Sequence, residues 1–193
     1  MTSEDQVLDG WMAAIARDGW RDARPDTAAA LAGLTATDLT AVLPDRWSAL
    51  SAFGRRLDRA ALAEAASDPD TSVRDRLFAL LMARFDAGDA HKAAVRALGE
   101  AAKRDPALAA VMLGTLVVSV ARIAAAAGVE TSGLLGPLRV EALTALVLHA
   151  SRTWLDDADP DLAATMKALD TDLERAERWA KWRPGQRSAA AAG

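Results

Sequence analysis

The side chains best suited to catalysis or metal binding are few in this chain. His91 and His149 are the only histidines, and cysteine is absent. Neither histidine has a second histidine four residues away, and there is no thiolate to complete a zinc site. We therefore interpret His91 as a surface residue at a helix start. His149 lies in an apolar stretch, where it either hydrogen-bonds a ligand or pairs with a neighbouring group.

An acidic run, 156–161, is the second candidate for chemistry. Its alternating carboxylates resemble a calcium loop, but Leu162 and Ala168 stand where a loop beginning at Asp157 needs glycine and glutamate. The acids fit the start of a helix, where they interact favourably with its dipole. No glycine-rich phosphate loop and no set of nucleophile, base and orienting group is visible. We predict a protein that is not an enzyme and has neither metal nor cofactor.

The composition predicts that helices alone position these residues. Hydrophobic residues make up 51% of the 193 residues, but aromatic residues only 5%, and tyrosine is absent. Alanine and leucine, which are strong helix formers, dominate, so we predict an all-α fold. The longest uncharged run, 106–121, is shorter than a membrane span and predicts a buried core helix. The acidic amino terminus has no apolar leader, so we expect a cytoplasmic protein.

The predicted helices begin mostly at capping residues. Asp-Pro pairs at 68–69, 105–106 and 159–160 are typical helix starts. Helices are predicted at 4–18, 26–33, 36–43, 45–66, 70–87, 90–104, 106–127, 137–156 and 160–182. The eighth has no charge between Glu141 and Arg152, so we expect it to be covered on most sides.

The first three predicted helices are short, and about two residues separate the second from the third. That spacing is typical of a helix-turn-helix. We predict a degenerate helix-turn-helix head at 1–50, a helical ligand-binding and dimerisation domain at 51–183, and a flexible tail at 184–193.

The run from Val7 to Ala61 resembles the amino-terminal domain of the TetR family of transcriptional regulators in helix lengths and turn positions. The matching segments are Gly19-Trp20, the alanine-rich 28–33, the short helix 34–43 and the stretch 44–50 that follows Pro44. The resemblance implies that the third helix enters the major groove of DNA. It implies DNA contacts from Thr35, Thr37, Thr40 and Arg46, with Arg21 and Arg24 as further phosphate contacts.

The charge of this head departs from the family pattern. No lysine or arginine lies between Pro25 and Asp45. Residues 1–66 contain seven arginines and ten acidic residues, and the whole chain has a net charge of −4. DNA-binding surfaces are usually positive, so we expect weak DNA binding at best.

The remaining candidate ligand residues lie in the predicted body. Methionine, phenylalanine and aliphatic side chains that adapt to irregular ligands suit an apolar cavity. We predict that such a cavity is lined by Met82, Phe85, Met112, Leu116, Val120 and His149.

The carboxyl-terminal third resembles a second family, the ubiquinone-biosynthesis accessory proteins called Coq-nine. The matching residues are Trp154-Leu155-Asp156-Asp157, Asp159 to Leu162, Thr165 and Leu169-Asp170. This resemblance implies a TetR-like fold that binds isoprenoid lipid instead of DNA. Trp179 and Trp182, flanked by cations, are candidates for peripheral membrane contact.

Two functions follow from these resemblances. The first is a TetR-like homodimeric regulator that responds to a small apolar ligand bound by helices five to eight. The alternative is a lipid-binding accessory protein of the Coq-nine type that does not bind DNA. In either case we predict a four-helix dimer interface from helices eight and nine, formed by Leu143, Leu146, Val147, Leu162, Met166, Leu169 and Leu173.

Overall fold

The computed structural model describes residues 3–64 and 71–181, with side chains through Arg178. Within these residues all regular structure is helical, which confirms the all-α class and the nine predicted helices. They are α1 (Glu4–Asp18), α2 (Pro25–Ala32), α3 (Ala36–Val42), α4 (Arg46–Ala63), α5 (Val73–Asp89), α6 (Lys92–Ala102), α7 (Pro106–Ala126), α8 (Gly136–Asp156) and α9 (Ala163–Lys181).

Side-chain caps fix where several helices begin. The hydroxyls of Ser3, Thr35 and Ser72 accept hydrogen bonds from the first turns of α1, α3 and α5. Asp45 forms a capping box with Ser48 at the start of α4. Each such cap satisfies a backbone N–H that the helix itself leaves unpaired.

The predicted start of α9 at Asp159-Pro160 is wrong. Residues 160–162 form a turn that ends at Leu162, which has a φ of +51° and is buried. The Asp157 carboxylate explains this geometry, because it accepts hydrogen bonds from the backbone and hydroxyl of Thr165, at 2.8 and 2.7 Å. These bonds lower the pKa of Asp157, the Thr165 hydroxyl contributing most. The Asp68-Pro69 start lies outside the described residues.

The buried hydrophobic side chains form two clusters. The first, here called the head core, joins α1–α4 to α6 and to Leu108 of α7. The second, here called the body core, joins α5, α7, α8 and α9 to Ala61 near the end of α4. Helix α4 therefore contributes to both cores. Because Ala94 and Leu98 of α6 lie in the head core, the head is packed against residues well beyond the predicted boundary at 50.

Helices α7 and α8 are less covered than the sequence predicts. Val111, Leu113 and Val118 of α7 are 42–50% exposed, as are Leu138 and Leu148 of α8 at 50% and 43%. The prediction of a buried core helix at 106–121 therefore fails on the outer side of α7 and holds on its inner side, where Leu108 and Val120 are buried. By length and mean hydropathy α7 would also pass as a membrane span, a test that core helices of soluble proteins meet too.

Candidate nucleic-acid interface

Helices α2 and α3 form a helix-turn-helix. Gly33 ends α2 in the left-handed conformation, with a φ of +67°, which glycine adopts without a Cβ penalty. The backbone N–H of Leu34 then donates to the Ala29 carbonyl at 2.9 Å, and Thr35 caps α3. The sequence Gly33-Leu34-Thr35 thus forms the tight turn between α2 and α3.

The inner side of α3 is anchored to the head core. Leu39 is fully buried, and the indole Nε1 of Trp11 in α1 donates to the Leu43 carbonyl at 3.1 Å. This bond satisfies a carbonyl at the carboxyl end of α3. The position of α3 on α1 is therefore fixed by both packing and a buried hydrogen bond.

The outer side of α3 is polar but has no cation. Thr35, Thr37, Asp38 and Ala41 are exposed, whereas Thr40 is half-buried. The Thr35 hydroxyl donates to the Asp38 carboxylate at 2.7 Å, and the Thr40 hydroxyl donates to the Ala36 carbonyl at 2.8 Å. Thr37 thus offers a more accessible hydroxyl than the other two predicted threonines.

Cations gather instead beside α3, where α2 and α4 begin. A groove of about 310 Å³, here called the arginine groove, contains Arg21, Arg24, Arg46 and Trp47. Arg21 and Arg24 are exposed. The N-terminus of α2 adds partial positive charge, whereas the Asp45 carboxylate that caps α4 lines the same groove and offsets the N-terminus of α4. The three arginines therefore make the groove suited to an anion such as phosphate.

Arg46 is held rigidly in this groove. Its guanidinium donates to the carbonyls of Arg21 and Trp20, at 2.8 and 3.2 Å, and lies 5.0 Å from the Trp20 ring centre. Trp47 packs edge-on against Trp20 with ring centres 4.7 Å apart. Trp47 was not predicted as a site residue, although its position directly after Arg46 is a usable signal.

The predicted apolar ligand residues are only partly brought together. Met82, Phe85 and Val120 are buried in the body core, with Leu116 packed against it. Met112 packs against the head core instead. These side chains are part of packed cores, and their ligand-binding role stays a prediction.

Of the two roles predicted for His149, the structure shows the pairing with a neighbouring group, and His149 is not among the side chains of the body core. Its side chain is 59% exposed, and its Nδ1 lies 2.6 Å from an Asp172 carboxylate oxygen. The two residues line a shallow surface groove of about 320 Å³ between α8 and α9, with Arg175 beside them. The helical phase explains the exposure, because Ala142, Ala145 and His149 lie on one outer face of α8.

The predicted dimer interface is also wrong in its residues. Six of the seven side chains are buried within the single chain and Met166 is half-buried, so they are not free to contact a partner: Leu143, Leu146, Val147, Leu162, Met166, Leu169 and Leu173. The reason is that α9 folds back onto α8 and α5 of the same chain. The prediction that the apolar stripe of α9 packs against another helix is correct, but that helix belongs to the same chain.

The predicted membrane contact lies outside the described side chains. Trp182 is beyond residue 181, and the side chain of Trp179 is not described. The contact stays a prediction, as does the flexible tail at 184–193.

A buried ionic cluster lies where the head and body cores meet, and the sequence analysis did not identify it. Asp58 of α4 is 8% exposed and accepts a hydrogen bond from Arg84 of α5 at 2.6 Å. Ser119 of α7 donates to the same carboxylate, and Arg122 lies 3.4 Å from it. Burial lowers the pKa of Arg84, and the adjacent carboxylate opposes that shift. The cluster links α4, α5 and α7.

A second polar contact joins α1, α4 and α6. His91 is the N-cap residue of α6, as expected for a helix start, but it is half-buried. Its Nε2 lies 3.1 Å from the carboxylate of Asp9, which also pairs with Arg56 at 2.6 Å. The ring packs edge-on against Phe53 with centres 5.6 Å apart.

Comparison with known proteins gives matches among solved structures. No protein-family model and no curated protein sequence matches the chain. The TetR transcriptional regulator from Nitrosomonas europaea ATCC 19718 superimposes with a TM-score of 0.74 at 19% identity, over 91% of this chain and 98% of that one. A protein from Rhodococcus sp. assigned to the TetR-family regulators gives 0.61 at 25% identity, over 88% and 98%. A TetR-like regulator from Rhodococcus sp. RHA1 gives 0.54 at 18% identity, over 91% and 95%. The chain therefore has the TetR-like fold.

Proposed function

We propose that this protein is a DNA-binding transcriptional regulator that acts as a homodimer in the cytoplasm. The observation that supports this most is the arginine groove beside the helix-turn-helix. Three guanidinium groups and the N-terminus of α2 meet there, together with the Asp45 carboxylate that caps α4. Such donors suit phosphate oxygens of the DNA backbone.

The same geometry implies that backbone contacts outweigh base contacts. Thr37 and Ala41 are exposed on the outer side of α3 and have little capacity to discriminate bases. Three arginines in each head correspond to about six neutralised phosphates in a dimer, which predicts a slope of log K against log salt of about −5. We expect weak binding at physiological salt.

A small apolar effector would act from the body core. Helix α4 begins in the head core with Ala49 and Phe53, and its later residue Ala61 lies in the body core. An effector that separates Phe85 and Val120 would shift α4 and with it the arginine groove. Regulation then requires that the effector binds more tightly to the protein with α4 shifted than to the protein with α4 unshifted.

The experiment is selection from a random duplex library, followed by anisotropy titration of the enriched duplex at several salt concentrations. The double variant Arg21→Ala/Arg24→Ala should reduce the salt slope by about 0.9 for each lost contact, or about 3 to 4 units in a dimer. Arg104→Ala, an exposed arginine at the end of α6, is the matched control and should leave the slope unchanged. No enrichment of any duplex would contradict the proposal.

A lipid-binding accessory role of the Coq-nine type is the second candidate. The outer side of α3 presents Asp38 and no lysine or arginine, which counts against DNA contact by this helix and so in favour of a role without DNA. Native mass spectrometry of the purified protein should then show a retained isoprenoid lipid, and the DNA titration should show no binding. A regulator gives the opposite pair of results.

A further inference from the structure

Helices α4 and α7 both run from the head core to the far end of the body. Helix α7 contains 21 residues, a length of about 30 Å, and its early residue Leu108 lies in the head core. Gly54 of α4 packs against Thr115 of α7. One turn later Asp58 accepts a hydrogen bond from Ser119, so the two helices run in the same direction. Both therefore end far from the head core.

The starts of α5 and α8 and the end of α9 lie at the same end of the molecule. The Arg76 side chain, in the first turn of α5, donates to the carbonyl of Ala127, directly after α7, at 2.9 Å. Helix α8 follows α7 after a connection of nine residues, and α9 follows α8 after six, so α9 returns antiparallel to α8. Asp172 of α9 lies beside His149 of α8, which places the end of α9 close to the first turn of α8. We call the region formed by these five helix ends the distal end.

The distal end contains an excess of exposed apolar side chains. Among the described residues ten large hydrophobic side chains are exposed, and five of them lie at this end: Leu62, Val73, Leu134, Leu135 and Leu138. Leu134 is fully exposed, and Leu135 and Leu138 are 55% and 50% exposed. Val73 and Leu138 are in the first turns of their helices, and helical side chains lean toward the helix N-terminus, so both lean outward. Exposed apolar surface of this kind is typical of a contact surface.

Two glycines fix the loop that presents Leu134 and Leu135. Gly133 has a φ of +71°, which lies in the left-handed region that favours glycine. The Gly136 N–H donates to the Gly133 carbonyl at 3.2 Å, and a Cβ at Gly136 would lie 2.0 Å from the Thr131 carbonyl oxygen. The two leucines are therefore held on a tight turn, and neither is among the side chains of the body core. We call Leu134 and Leu135 the leucine tip.

Cations border the leucine tip. The Arg139 guanidinium donates to the Glu130 carbonyl at 2.9 Å, and Arg175 and Arg178 of α9 have side chains that are 66% and 69% exposed. Each of these arginines has an acidic neighbour. The surplus of positive charge therefore comes from residues 179–187, which contain three cations and no acidic residue. An apolar tip with cations beside it suits acyl chains and anionic lipid headgroups.

We propose that the distal end docks on the surface of an anionic lipid bilayer, with the leucine tip inserted among the acyl chains. A bilayer suits the tip better than a protein does, because a protruding apolar turn needs a matching pocket in a protein and none in a fluid layer. The inserted area is small, so the binding is reversible. The leucine tip carries this proposal, whereas the membrane contact predicted from sequence was assigned to Trp179 and Trp182. The proposal does not rest on DNA binding.

Vesicle flotation tests the proposal with the full chain. Wild type should float with vesicles of equal parts phosphatidylcholine and phosphatidylglycerol, and less with phosphatidylcholine alone, because the cations then lack anionic headgroups. Leu134→Ser should lower the partition coefficient about tenfold, because it removes an inserted leucine. Leu31→Ser is the matched control, since Leu31 is a 44% exposed leucine of the head, and it should float like wild type.

Several results would overturn the proposal. They are a wild type that does not float, a Leu134→Ser variant that floats like wild type, and an equal loss of flotation in Leu31→Ser. Light scattering without vesicles tests the other occupant, a second copy of the chain. If Leu134→Ser changes the oligomeric state, the tip contacts that copy and the proposal is wrong. Circular dichroism identifies any variant that fails to fold.

A fluorescent label gives a second measurement on the folded protein. The chain has no cysteine, so a polarity-sensitive dye on an introduced cysteine reports one position. The dye on Leu134→Cys should shift its emission to the blue with the mixed vesicles, and the dye on Leu31→Cys should not. A shift at both positions, or at neither, would reject the proposal.

One further variant separates lipid binding from DNA binding. Arg21→Ala/Arg24→Ala should float like wild type, because the arginine groove is in the head and away from the distal end. A loss of flotation in this variant would show that the groove binds the headgroups and would overturn the proposal. The DNA titration contains no lipid, so the two proposals can fail separately.

Discussion

The surfaces of the head and of the body differ in how completely one chain covers its apolar side chains. In the head, Trp11 and Trp20 are each 1% exposed. In the body, the inner sides of α7 and α8 are buried, but Val118 and Leu138 are each 50% exposed on the outer side. The head has a large exposed apolar side chain too, Leu31 at 44%, but the body has more of them on α7 and α8. Exposed apolar surface of this kind is typical of a contact surface, so the difference favours the body over the head for association.

The boundary between the head and the body contains a buried ion pair. In this pair, Asp58 and Arg84 each have side chains only 11% exposed. The half-buried contact of His91 with Asp9 lies within the head, where α1, α4 and α6 meet. Paired charges that are removed from water tolerate little displacement, because separating them leaves an uncompensated charge. The boundary is therefore where a movement of α4 would be felt most.

The largest expected effect comes from Asp58→Ala. It leaves Arg84 buried without its carboxylate, and we expect a loss of about 3–5 kcal/mol of unfolding free energy. Urea denaturation measures it. The double variant Asp58→Ala/Arg84→Met should be more stable than the single variant, because the stranded charge is gone. If both unfold alike, the cluster does not hold the head and body together.

The next effect tests whether α6 belongs to the head. Leu98 is 1% exposed in the head core, and Leu98→Ala should cost about 2–5 kcal/mol. Hydrogen exchange should show the loss of protection mainly in α1 and α4, and less in α9. Leu138→Ala, at an exposed position, should change stability by less than about 0.5 kcal/mol. Equal loss across all helices would mean that the two cores unfold as one unit.

A smaller effect is expected on the surface of the head. Thr35→Ala removes the cap of α3 and should cost about 1 kcal/mol, whereas Thr35→Ser retains the hydroxyl and most of the stability. Thr37→Ala should leave stability unchanged but weaken DNA binding. Thermal unfolding and anisotropy separate the two outcomes. Equal stability of the two Thr35 variants would show that the cap is unimportant.

The sequence predicted the helices far better than it predicted which side chains are accessible. Helix starts depend on local caps such as Thr35 and Asp105, and these are visible in the sequence. Periodicity also found the stripe containing Leu169, but it does not reveal whether the partner helix belongs to the same chain. Periodicity likewise left both predicted roles of His149 open, a ligand contact in an apolar pocket and the pairing with a neighbouring group that it makes with Asp172.

The buried cluster at Asp58 escaped prediction because its members come from three helices. Asp58 and Arg84 are 26 residues apart, and Asp58 and Ser119 are 61 apart. A charged residue on a helix is usually solvated, so sequence alone gives Asp58 no distinction from Arg59. Only the packing of α5 and α7 on α4 turns it into a buried ion pair.

The smallest expected effect is a pH dependence of stability at the junction of α1, α4 and α6 in the head. The pKa of His91 is lowered, mainly by burial; Asp9 of α1 opposes the shift and Arg56 of α4 adds to it. Below about pH 6.5, the ordinary pKa of histidine, the unfolded chain binds more protons at this site than the folded one. The stability that neutral His91 provides is therefore complete above that pH. It declines as the pH falls, until His91 is also protonated in the folded state.

Urea denaturation between about pH 5 and pH 8 measures this dependence. His91→Gln should flatten the curve in that interval. Asp9→Asn should extend the decline to lower pH, because it removes the carboxylate that raises the pKa of His91. Asp5, whose carboxylate lies 4.0 Å from Arg56, remains in both variants. Parallel curves for wild type and His91→Gln would show that the junction of α1, α4 and α6 does not respond to this proton, and the pH sensitivity of the head would then arise elsewhere.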